Sequence, residues 1–206
     1  MRLCLCAVAG VILLAAGCAQ PYVRRVEPPL IPAPLVKRIP LTLGVHYTSE
    51  FRSARPISTV YIPQVGALEE MWLIGEPSVV VFDAALRGMF ENVVEVKQWP
   101  LTDGPLQVAG VLIPSIPRSA VQVGPDPNIQ YRVRYRLELC SKSGENLGAW
   151  EVVGVSGLSE VQLVRGSTIV RDAMRSAAAA LVVSFFRDPQ ARAWLEANGV
   201  RPDALR

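Results

Sequence analysis

The sequence predicts an α+β fold, a two-layer domain with a mostly antiparallel sheet and two main helices on one face. Three observations carry this expectation. Over residues 129–139 apolar and polar side chains alternate without a break, the period of a strand with one buried face. A polar turn at 141–146 leads back into 147–155, so the two runs read as an antiparallel hairpin. Two further stretches, following Pro77 and Ser167, repeat apolar residues at the spacing of an amphipathic helix.

In chain order, residues 41–48 and 58–63 are rich in strand formers, and 64–75 reads as a loop. Pro77 suits a first helical turn, and Val79, Phe82, Leu86 and Phe90 make that helix's apolar stripe. Residues 92–98 and 106–113 read as strands, parted by the turn formers Pro100 and Asp103-Gly104-Pro105. Pro114, Pro117, Pro125 and Pro127 mark a loop over 115–128, ahead of the hairpin. Ser167 or Thr168 caps the second helix, which runs to about Phe186 and buries Val170, Ala173, Met174, Ala177, Leu181 and Phe185. Asp188-Pro189 starts a short third helix that stops at Asn198-Gly199. Trp99 and Trp150, in strand-like segments, are expected in the core.

With 206 residues, half of them hydrophobic, the composition excludes a wholly disordered or fibrous chain. The net charge of +3 is too even to advertise a nucleic-acid binder. That excess belongs to residues 19–40, where Arg24, Arg25, Lys37 and Arg38 stand against Glu27 and six prolines restrict the backbone. This segment reads as an extended stem, reaching roughly 70 Å if polyproline-like, and either lies along anionic headgroups or is a solvated tether. Residues 41–206 form the neutral body.

The N-terminus has the layout of a secretory leader. Met1 and Arg2 are followed by an apolar run to Leu14 that is short of the ~20 residues needed to cross a bilayer. Leu14-Ala15-Ala16-Gly17-Cys18 resembles the lipobox of bacterial lipoproteins, which implies that residues 1–17 are removed and that Cys18 is acylated and anchors the chain. The residue after the cysteine is Ala19 rather than aspartate, which by that resemblance implies the outer membrane, with the body facing the periplasm. Several acyl chains suffice for stable anchoring, at about 0.8 kcal/mol per buried methylene. Loss of the leader leaves Cys140 beside the acylated Cys18, so Cys140 is a buried small hydrophobe or an intermolecular thiol. The whole plan of lipobox, proline-rich stem and small domain with two helices over a sheet resembles the small lipoproteins that assist lipopolysaccharide assembly and ABC-type lipid transport. That resemblance implies a non-enzymatic accessory module with an envelope protein or anionic lipid as partner; the alternatives are a pilot or structural subunit of an envelope complex, in contact through the Trp72 loop or an exposed strand edge, and, a distant third, a periplasmic hydrolase.

Chemistry-bearing patterns are sparse. There is no nucleophile elbow, P-loop, dinucleotide fingerprint or Cys-x-x-Cys pair, and one histidine excludes any site that needs two, so no catalytic residue, metal or cofactor is expected. His46 reads as a strand histidine, and Glu69 with Glu70 as an acidic loop rather than a hydrolytic pair. Arg132, Arg134 and Arg136 share one strand face at about 6.5–7 Å intervals. Such a row holds phosphates or carboxylates, or else pairs with acidic neighbours such as Glu151. Trp72, in the expected loop, is either a docking point for a partner or membrane, or a core residue.

Overall fold

The computed structural model describes residues 21–33, 37–62, 66–101, 107–123, 131–156 and 166–205; the leader, Cys18, Ile129 and Gln130 lie outside them. The fold is α+β, with two sheets rather than one and with mixed rather than mostly antiparallel pairing. The small sheet has three strands in the order β1 (Tyr22–Arg25), β4 (Gly66–Leu73), β3 (Ile57–Ile62). The large sheet has six: β2 (Ile39–Val45), β5 (Phe90–Glu95), β6 (Gly110–Ser115), β7 (Val121–Val123), β8 (Tyr131–Cys140) and β9 (Asn146–Val155).

β8 organises the large sheet. Its first residues pair with β7 and its last with β6 along one edge, while β9 runs antiparallel along the whole of the other. β2 lies parallel to both β6 and β5, and these two pairings make the sheet mixed. Parallel neighbours need a crossover. α2 (Gly75–Met89) lies in the connection that returns the chain from β2 to β5.

The expected alternation of the long hairpin is present. Tyr131, Val133, Tyr135, Leu137 and Leu139 are buried, and α3 (Gly166–Arg187) packs on them and on β9. All six residues expected on the buried face of α3 are buried. Its close approach to β9 depends on Gly154, where a Cβ would overlap the Ala173 carbonyl oxygen and the Ala177 amide nitrogen. α4 (Pro189–Ala197) begins as expected, the Asp188 carboxylate accepting from the Gln190 and Ala191 N–H groups, and ends at Gly199 with φ +77°. The short α1 (Ser49–Arg52) leads into an aromatic core in which Phe51 meets Phe82 edge-on and Phe82 meets Tyr135. A second group, Phe90, Trp150, Phe185 and Trp194, fills the other end.

Two further expectations are corrected. Residues 66–73 form strand β4, not a loop, because Leu68, Glu70 and Trp72 alternate inward and the acid at 70 disguised the pattern. Among their described residues, positions 19–40 are not a free stem: Tyr22–Arg25 pairs in parallel with β4, Val26 and Pro29 are buried, and β2 begins at Ile39. Proline removes a donor only at its own position, and the proline-free run from Tyr22 to Glu27 keeps every amide it needs.

Gly154→Val should therefore lower the stability of the domain by about 1–3 kcal/mol in urea unfolding. Val153→Thr, on the exposed face of the same strand, should stay within about 0.5 kcal/mol of the parent.

Candidate functional site

The arginine row stands where strand alternation puts it. Arg132, Arg134 and Arg136 project from β8 on the face turned away from the helices. Arg136 Nε donates to Glu138 Oε1 at 3.0 Å on the same strand, and Arg134 Nε lies 3.7 Å from Glu151 Oε2 on β9. Arg132 is exposed and forms no ion pair among the described residues; Gln122 of β7 and Val155 of β9 are its register neighbours. Exposed Val153 and Val155 complete a strip of mixed cationic and apolar character.

Beside β6 this face is covered. Val96, Val108 and Val111 form a second small core with Trp99, Leu101 and Ile113 packed against it. The open strip is thus bounded on its β6 side. Its two ion pairs are exposed, and pairs of this kind contribute only about 0–1 kcal/mol each, so a phosphate or carboxylate can displace them at little cost.

Trp72 is not a docking point. It is fully buried at 0% exposure, its ring meets Tyr131 edge-on with centroids 5.5 Å apart, and its Nε1–H donates to Ser58 Oγ at 2.8 Å. Glu69 and Glu70 point to opposite faces of β4. Glu70 is 3% exposed, and Arg24 Nε and Nη2 both donate to its Oε1 at 2.9 and 2.8 Å. The Tyr131 hydroxyl donates to Oε2 at 3.2 Å, and burial together with this carboxylate pushes the phenol pKa upward. This triangle joins β1, β4 and β8. Arg24 and Tyr131 were not singled out as its partners from sequence; the signal was one acid on the inward side of an otherwise apolar strand.

His46 is half-buried and its Nδ1 lies 2.7 Å from the Val96 carbonyl oxygen, a structural contact. Among the described residues no three or more His, Cys, Asp or Glu side chains gather in a way that could hold a metal ion. A mainly apolar cavity of about 460 Å³ lies between residues 31–33 and the helices, with Ala85, Ala178 and Val182 in its wall and the paired Asp172 and Arg175 at its edge. Cys140 is buried, and desolvation, then the charge of Glu138, raises its thiol pKa. No described helix is long and apolar enough to cross a membrane.

No family model matches the chain, and neither does any curated protein. Among solved structures, the chain is similar to the crystal structure of a Xanthomonas campestris protein of family model DUF330, with 12% identity, 82% of this chain and 99% of that one covered, and a TM-score of 0.51. This is a likeness of fold. A variant PelC dodecamer from Paraburkholderia phytofirmans matches at 10% identity over 74% and 93% of the two chains, with a TM-score of 0.31. An uncharacterized protein matches at 13% identity over 80% and 97%, with a TM-score of 0.34.

Arg24→Ala should cost about 3 kcal/mol in chemical unfolding, because it leaves a buried carboxylate without its cation. Glu70→Gln, which still accepts from Tyr131, should cost less. Cys140 should react with a maleimide far more slowly in the folded protein than after unfolding, since both burial and a raised pKa reduce the available thiolate.

Proposed function

We propose that the protein is an outer-membrane-anchored periplasmic lipoprotein that acts as a non-enzymatic accessory module, binding an envelope partner during assembly, transport or secretion. The observation that carries this reading is Leu14-Ala15-Ala16-Gly17-Cys18 at the end of a short, positively started apolar leader, followed by Ala19. Acyl chains on Cys18 hold the chain in the membrane, and the folded domain presents its surfaces to the periplasm. The surface best suited to an anionic partner is the open strip of β8 and β9, where Arg132 is not committed to an ion pair among the described residues. Anionic lipid headgroups and acidic protein surfaces both offer the oxygens that guanidinium groups bind bidentately. Of the two contacts open to the pilot-subunit alternative, the Trp72 loop is lost, because that side chain is sealed in the core, and an exposed strand edge is left.

Gentle detergent extraction of the full-length protein, with mass spectrometry of the Cys18 peptide and of everything that co-purifies, tests the proposal. Acylated Cys18 with a stoichiometric partner or lipid is the expected result, and Cys18→Ala should release the protein from the membrane fraction. An unmodified Cys18 overturns the anchor. Arg132→Glu combined with Arg134→Glu should weaken partner retention about tenfold or more, with the unfolding midpoint unchanged; undiminished retention excludes the strip as the contact.

A further inference from the structure

Only Ala19, Gln20 and Pro21 separate Cys18 from the first residue of β1, Tyr22. Even fully extended, the chain spans about 14 Å between those two residues. If Cys18 is held by its acyl chains, the small sheet must therefore stand against the membrane rather than at the end of a long tether.

The register shows which part arrives there. β1 is parallel to β4 with Tyr22 opposite Glu70, and β4 begins four residues earlier, at Gly66, which is paired with Ile62 of β3. The Ile62–Gly66 end of the β3–β4 pair thus extends about 13 Å past Tyr22, toward the side from which the chain comes. Residues 60–68 carry no charge. Tyr61, opposite Ala67, is 75% exposed. Farther along, Val23, Met71 and Ile57 stand in one row across the outward face, with Val23 and Ile57 exposed at 53% and 44%. Arg25 and Glu69, of opposite sign, are the exposed charged residues of these strands. An aliphatic row with a projecting tyrosine and no net charge fits the boundary between headgroups and acyl chains, where tyrosine is favoured.

We propose that this end and outward face of the small sheet rest on the lipid surface that holds Cys18, with Tyr61 at the level of the headgroups. The inference rests on acylation of Cys18 as proposed above.

The test uses the full-length protein, processed in cells and reconstituted in phosphatidylethanolamine and phosphatidylglycerol vesicles. In a Cys140→Ala background, an environment-sensitive label is placed through Tyr61→Cys, Val23→Cys or, as a control in the β8–β9 turn, Glu145→Cys. The Cys18 peptide of the same samples is read by mass spectrometry. The expected result is acylated Cys18, blue-shifted labels at positions 61 and 23 that are quenched by nitroxide lipids, and an unquenched label at 145. Acylated Cys18 with position 61 as wet as position 145 overturns the inference and leaves the anchor standing. A label at 61 that is dry, unquenched by lipid and crosslinked to another copy also overturns it, assigning the face to a second protein molecule. Unacylated Cys18 overturns the anchor and this inference together.

Discussion

A carboxylate sealed inside a protein has to be matched, and Glu70 sets that condition for this fold. An unpaired buried ion costs several kcal/mol, and the partners supplied here are Arg24, from the N-terminal strand, and the Tyr131 hydroxyl, from the central strand of the other sheet. β1 has four residues in parallel pairing, which is weak by itself, so its place beside β4 depends on this match. Once β1 is placed, the chain after it follows: Val26 and Pro29 enter the core, and Ile31 lies over the helical layer. The same triangle ties the small sheet to β8, so the third wall of the core, including Trp72 against Tyr131, stands on it.

What was legible in the sequence was local. The β8–β9 hairpin and the face of α3 follow from alternation and from a 3.6-residue period, each contained in a single stretch of chain. The pairing of β2 with β5 and β6 brings together residues tens of positions apart, and no local pattern records which strands are neighbours or in which direction. β4 was hidden because its inward residue at 70 is charged, and its partner at 24 sits in a run that prolines make look unpairable. The Arg132, Arg134 and Arg136 row was legible, since alternation alone places it on one face. An ion pair of this row with Glu151 was foreseeable, but register sets Glu151 opposite Arg136 and the pair forms diagonally with Arg134, while Arg136 reaches along its own strand to Glu138.

The molecule turns two different surfaces outward. The strip on β8 and β9 is cationic and hydrogen-bonding, carried by a long antiparallel ladder and flanked by the second small core. The outer face of the small sheet is aliphatic and aromatic, with little charge. Such a division suits the anchored accessory role proposed above, because one surface can meet the membrane while another remains open to a partner.

The parallel alignment of β1 with β4 also has a mechanical meaning. Tension applied to the chain ahead of Tyr22 runs along the strand axis, so the evenly spaced hydrogen bonds of the pair and the Arg24–Glu70 bridge are loaded together in shear instead of being peeled apart one at a time. The N-terminal attachment thus resists a pull where the same four residues in a terminal hairpin, loaded from the open end, would unzip.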